Sequence, residues 1–195
     1  MRKVLLALLF TVGLIANTGW AADTYKIDDA HTTLGFSAKH MMISNVGGQF
    51  DKFDGEVVFD PKDLANSKIN VTIDVLSIDT RNEKRDEHLR SADFFDAAQF
   101  PTITFVSKKI TLTEIVGDLT MKGVTKEVTI PATIAGPIKS PMGIAIGITG
   151  TFTLNRQDYG VSFNKVLDQG GVAVSNDIVV NISVEAIKKE AKEAV

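Results

Sequence analysis

Apolar residues return at every second position through long stretches of this chain. Ile144, Ile146, Ile148, Phe152 and Leu154 alternate with Ala145, Gly147, Thr149, Thr151 and Thr153, and Ile69, Val71, Ile73 and Val75 alternate with Asn70, Thr72 and Asp74. Ile178, Val180, Ile182 and Val184 repeat the pattern. A period of two places one set of side chains on each face of a strand, so these segments predict strands with one buried and one wet face. Further strands are expected at 25–28, 32–39, 49–59, 102–107, 114–121 and 127–135, with Lys122-Gly123-Val124-Thr125 as a hairpin turn. The links are short, so the connections are antiparallel, and such a sheet hides its edges by closing or by pairing with a second sheet.

Two stretches break the alternation. Residues 60–64 read as a single helical turn. The charged run 81–92 reads as one exposed helix, with Thr80 as its N-cap and Glu83 three residues on as a capping box. It leads into Phe94-Phe95, an apolar pair that needs burial. No repeat, low-complexity tract or linker interrupts the chain, so one domain is expected.

The first residues have a different character. Met1-Arg2-Lys3 is basic, 4–16 is apolar and uncharged, and Gly19-Trp20-Ala21 sets small residues at an A-x-A-like site. That order predicts a cleaved secretory signal over 1–21, with a periplasmic domain over 22–195. The apolar run is shorter than the roughly 20 residues a spanning helix needs. Cysteine is absent, which excludes disulfides, a thiol nucleophile, a cysteine metal site and lipidation at a cysteine. The net charge is −3, and its lysines and arginines are scattered. Neither a nucleic-acid partner nor attraction to anionic lipid surfaces is expected.

The buried faces carry Ile, Val and Phe, and the wet faces carry Thr, Asn and Asp. An outer-membrane barrel has the opposite polarity, so no stable membrane insertion is expected. A barrel of about eight strands is just wide enough to be filled by side chains or to hold one small ligand. Inward positions expected at Gly35 or Ala38, Gly55, Gly117, Ala132 and Gly150 are small; they read equally as room for a ligand or as bulges and bends.

Several motifs in order resemble the YceI-like family. They are Ile27-Asp28-Asp29-Ala30-His31, then Phe36-Ser37-Ala38-Lys39-His40-Met41, then Gly48-Gln49-Phe50 with Phe53-Asp54-Gly55 and Ser77-Ile78-Asp79-Thr80. The run from Arg85 to Phe95, the run from Phe100 to Phe105, the run from Gly117 to Thr125 and Asn155-Arg156-Gln157-Asp158-Tyr159-Gly160 complete the likeness. The resemblance implies an all-β, lipocalin-like antiparallel barrel with one covering helix. It also implies a long-chain amphiphile, such as a polyisoprenoid, quinone or fatty-acid-like lipid, held in the interior as the only bound group. A binding or carrier protein is therefore expected rather than an enzyme. The rival classes are an enzyme acting on a lipid and a ligand-free, stress-related structural protein. An assembly of copies, most simply a dimer, is compatible with the sequence.

On that reading the ligand tail touches Phe36, Phe53, Phe105, Ile146, Ile148 and Phe152, with Met41, Met42, Phe94 and Phe95 around an opening. Thioether side chains adapt to irregular ligands, although core filling is an equal reading of these four. His40, Asn155 and Arg156 are the candidates for the polar end, where a guanidinium fork suits a phosphate or carboxylate. An Arg156–Asp158 pair closing the barrel mouth is the plainer alternative. The histidines 31, 40 and 88 lack zinc-ligand spacing. Asp86 and His88 read as part of a helix-surface ion-pair set rather than a catalytic cluster.

Overall fold

A computed structural model describes residues 22–168 and 170–188; the predicted signal segment lies outside these residues. The strands are β1 Asp23–Ile27, β2 Thr33–His40, β3 Ser44–Phe50, β4 Phe53–Phe59, β5 Lys68–Asp74, β6 Ile78–Asp79, β7 Thr102–Ile110, β8 Glu114–Met121, β9 Val124–Ser140, β10 Gly143–Asn155 and β11 Val174–Lys188. All neighbours pair antiparallel, and the order β1-β4-β5-β7-β8-β9-β10-β11 closes on itself through a β1–β11 pairing. That ring is an eight-strand barrel. On the other side β11 continues into β2, β3 and β6. A short 3-10 turn separates β1 from β2, and Asp51 with Lys52 separates β3 from β4, so each pair acts as one broken stave. This break is why the predicted strand 49–59 is two strands.

Local chemistry explains the connections. Lys122 and Gly123 both have positive φ, at 48° and 76°, which is the tight hairpin turn that matches strand twist. Pro131 stands inside β9, where a missing N–H would normally break a ladder. Residues up to Pro131 pair with β8, and pairing with β10 begins at Ala132. The proline therefore occupies the handover between two neighbours.

The one α-helix among the described residues, α1, spans Glu83–Arg90, shorter than the predicted 81–92. Its N-cap is Asn82, whose side chain accepts from the Arg85 N–H at 3.0 Å, and not Thr80. Arg81 has φ of 60° and turns the chain once more before the helix starts. Thr80 is buried instead. Its N–H and hydroxyl both donate to Asp86, while Arg85 donates to its hydroxyl and carbonyl oxygens. Asp86 is 5% exposed, so it is an internal tie between helix and barrel rather than part of a surface ion-pair set.

Packing divides the interior. One end is filled by Tyr25, Val57, Phe59, Ile69, Ile146 and Val184 among others, all buried. At the other end, beneath α1, Phe94, Ile103, Leu119, Met121, Tyr159 and Val161 form a second cluster. No helix among the described residues is long and apolar enough to cross a membrane.

Candidate functional site: an apolar cavity with one buried cation

Between the two packed clusters lies a cavity of about 220 Å³. Alternation along the strands builds its wall. Leu34, Phe36 and Ala38 come from β2; Ile148, Gly150, Phe152 and Leu154 from β10; and Ile178, Val180, Ile182 and Val184 from β11. Leu89 of α1 and the following Phe94 and Phe95 cover one side. The wall residues of the packed end, such as Val57, Ile115 and Ile130, are fully buried. Those along β2, β3 and the start of β11 are half-buried, as are Ile27, Val71 and Phe105; the side where wall residues Ala38 and Val174 stand next to the exposed β2–β3 tip is the candidate mouth.

The shape follows from strand geometry. On β11 the wall runs between residues 174 and 184, about 33 Å at roughly 3.3 Å per residue. The lining is therefore elongated along the strands.

Glycines permit close approach around this space. A methyl at Gly150 would sit 2.9 Å from the Pro131 carbonyl oxygen and 3.1 Å from Ile130. Gly48 and Gly117 make way for rings. A methyl at Gly48 would sit 2.5 Å from the Phe36 ring, and one at Gly117 would sit 2.6 Å from that of Phe105. Gly55 has the Asn70 carbonyl and Ile27 against it. Phe36 also packs on Phe50, and Phe50 on Phe95, with centroids 5.8 and 6.1 Å apart. The row links β2 and β3 to the cover.

Among the described residues, Arg156 is the only charged one on the wall, and it is 4% exposed. It opens the 3-10 turn Arg156–Tyr159. Its Nε donates to the Ser175 carbonyl at 2.9 Å, Nη1 to the Val161 carbonyl at 2.6 Å and Nη2 to Asn176 Oδ1 at 3.5 Å. Every partner is neutral. Burial holds its guanidinium below the usual arginine range, because no adjacent carboxylate offsets the desolvation. Asp158 does not pair with it. That carboxylate is exposed and lies 3.7 Å from Lys126, so the expected Arg156–Asp158 closure is absent. The turn points Arg156 inward and Asp158 outward.

The predicted site residues divide accordingly. Phe36, Phe94, Phe95, Phe105, Ile148, Phe152 and Arg156 share the cavity wall. Ile146 lies on the same face of β10 but is sealed within the packed end at 1% exposure. Phe53 pairs with Ile73, a wall residue, yet is itself off the wall. Asn155 caps the 3-10 turn, its side chain accepting from the Gln157 N–H at 3.0 Å. His40, Met41 and Met42 are exposed at the β2–β3 tip and do not line the cavity. Sequence reasoning missed Leu34, Phe50, Leu89, Leu154 and Val161 on the wall. Leu34 shares the parity of Phe36, and Leu154 that of Phe152, so the same alternation could have found both. Leu89 and Val161 come from elements with no such period.

The histidines do other work. His31 Nδ1 lies 2.7 Å from Asp28 Oδ2, and this contact raises the imidazole pKa and lowers that of the carboxyl. Asp28 also caps the 3-10 turn behind β1. His88 Nε2 is 2.9 Å from Asp93, and its ring meets Phe94 and Phe163 edge-on at 5.0 and 4.9 Å.

Comparison with known proteins agrees with this architecture. A UPF0312 protein of Staphylococcus aureus strain MSSA476 is 43% identical over 163 residues, covering 83% of this chain and 95% of that protein. Among solved structures, Burkholderia cenocepacia BcnA matches with a TM-score of 0.72 at 27% identity, over 82% of this chain and 98% of that one. The Campylobacter jejuni YCEI protein gives 0.66 at 36%, over 78% and 90%. A polyisoprenoid binding domain from Saccharophagus degradans shares the fold, with a TM-score of 0.63 at 13% identity over 84% and 97%. The family model described as YceI-like domain matches residues 25–186, and the chain therefore belongs to the YceI-like family.

Proposed function

We propose that this protein binds and carries a long-chain amphiphile, with its apolar tail in the barrel cavity and its polar end toward Arg156, in the periplasm after removal of residues 1–21. The observation that carries the reading is the apolar cavity, lined along the strands, with one buried cation on its wall. Each methylene moved from water to such a wall contributes about 0.8 kcal/mol, so a tail binds through length alone. A guanidinium satisfied only by neutral oxygens suits a phosphate, carboxylate or polarised carbonyl. The Saccharophagus degradans domain of the same fold is a polyisoprenoid binder, which supports a polyisoprenoid, with a quinone or fatty-acid-like lipid as its chemical equivalents. Catalysis is the weaker reading. Bond making or proton transfer needs a nucleophile, acid or base at the ligand, and the wall supplies none besides Arg156.

Native mass spectrometry of protein purified without detergent tests this. One amphiphile per barrel is the expected result. Ala38→Trp, which fills the cavity near its mouth, should lower that occupancy while the strand-type far-ultraviolet spectrum persists. A wild-type protein that carries no lipid, and takes none up from added prenol or fatty acid, would overturn the proposal.

A further inference from the structure

We infer that the tip beside the cavity mouth is a bilayer-docking surface, formed by Met41, Met42 and Ile43 of the β2–β3 turn together with Val166 of the neighbouring loop. The inference rests on the lipid-carrier reading for its purpose but on separate observations for its location.

The first observation is exposure. Ile43 is 87% exposed, Val166 74%, Met42 53% and Met41 40%. The two segments touch. The Met41 N–H donates to the Ala173 carbonyl at 2.9 Å, a methyl at Gly171 would stand 3.3 Å from Met42 Cγ, and Val166 bridges to Val172. Four large apolar side chains thus form one projection.

The second observation is backbone strain. Met41 and Met42 have φ of 51° and 64°. The turn is closed by the Ile43 N–H donating to the His40 carbonyl at 3.1 Å, and turns with two successive positive-φ residues favour asparagine and glycine, because a Cβ is disfavoured there. Methionine here accepts that penalty while its side chain faces water. Such a conformation is retained where the exposed groups have a task.

The third observation is position. His40, which precedes Met41, pairs with Val174, a wall residue, and Ala38 lies on the wall two residues earlier. A tail leaving a membrane at this tip reaches the mouth directly. Lys39 and Lys165 flank the tip without ion pairs among the described residues, and long cationic stems at such a place extend toward lipid headgroups. Asp168 and Asp177 are also exposed nearby, so the attraction is mainly apolar rather than electrostatic. Four partly exposed side chains fall short of the roughly 800 Å² per partner of a stable protein interface, but they suffice for shallow insertion. Leu112, Ile138 and Met142 are exposed too. They lie on the β7–β8 turn and around the β9–β10 tip, at the packed end, away from the mouth.

Flotation with vesicles of phosphatidylethanolamine and phosphatidylglycerol tests the surface. Wild-type protein should float, and Ile43→Asp should reduce partitioning by about tenfold or more, the factor that accompanies exposing one such side chain. Ile138→Asp at the opposite end should float like wild type. Lipid extracted from purified Ile43→Asp should match wild type, which keeps docking distinct from carrying. Flotation that is absent in wild type, or unchanged in Ile43→Asp, overturns the docking surface whatever the lipid content. If sedimentation shows that Ile43→Asp turns a dimer into a monomer and wild type does not float, the tip is a self-association surface and the inference fails.

Discussion

The two ends of the barrel are made from the same kind of strand and reach opposite results. At the packed end, inward side chains close off the interior; Tyr25, Ile146 and Ala186 are 2%, 1% and 0% exposed and lie off the cavity wall. Toward the mouth, the same alternation supplies Phe36, Phe152 and Leu154, but glycine and alanine stand among them and a cavity remains. Apolar character alone therefore does not distinguish a core from a binding site. The distinction comes from how well the volumes fit, and from the polar group placed at one end.

The sharpest test of that contrast is truncation on each side. Ile146→Ala should cost about 2–5 kcal/mol of stability in chemical denaturation, as buried large-to-small changes do. Phe36→Ala should cost less than half as much, because one side of its ring already faces empty space and lacks contacts to lose. Equal losses would show that the cavity end is packed as tightly as the other.

A smaller effect is expected where α1 joins the mouth. Asp86→Ala leaves the buried Thr80 N–H and hydroxyl without their acceptor and should cost about 1–3 kcal/mol. Hydrogen exchange should rise first in α1 and at Thr80, and only later in β8 and β9. Uniform acceleration would mean that the cover and the barrel open as one unit.

The smallest effect sits at the packed end and depends on pH. The Asp28 carboxyl is held below its ordinary value by His31, and the His31 imidazole above its own by Asp28. A lowered carboxyl pKa gives stability present above the unfolded value of about 3.9 and lost as pH falls through the folded one. A raised imidazole pKa gives stability present below about 6.5 and lost as pH rises through the folded value. The contact is thus strongest between those limits and weakens on either side. Titration of the His31 ring by NMR should give a midpoint above 6.5 that returns toward it in Asp28→Asn; an unshifted midpoint in wild type would refute the pairing.

Much of this was legible in the chain. Alternation over 144–154 and 178–184 specified strands, their inward face and one side of the wall, since a one-residue slip would turn every Ile and Phe to water. What escaped were decisions made by distant parts of the molecule. Whether Ile146 or Ile148 meets the cavity depends on packing from β11 and β1. Whether Arg156 finds Asp158 or neutral carbonyls depends on the turn that separates their directions. Thr80 looked like a helix cap because its spacing to Glu83 fits one; the positive φ of Arg81 passed that role to Asn82. Met41 and Met42 read as residues around an opening; a turn at the end of β2 carries them out to the surface, off the cavity wall.

The ring closes at a seam where Lys26 meets Ile187 and Ile27 meets Ala186, so the first and last strands of the barrel are neighbours in space and nearly the whole domain apart in sequence. Drawing such distant segments together costs loop entropy before the contact returns anything. Hairpins such as β7–β8 and β9–β10 involve short excursions and can form independently of it. The tubular interior exists only once that seam is joined, so the cavity depends on the long-range contact and not on the hairpins alone. A nascent chain with its hairpins in place but its seam open would be a curved sheet presenting its apolar face to water.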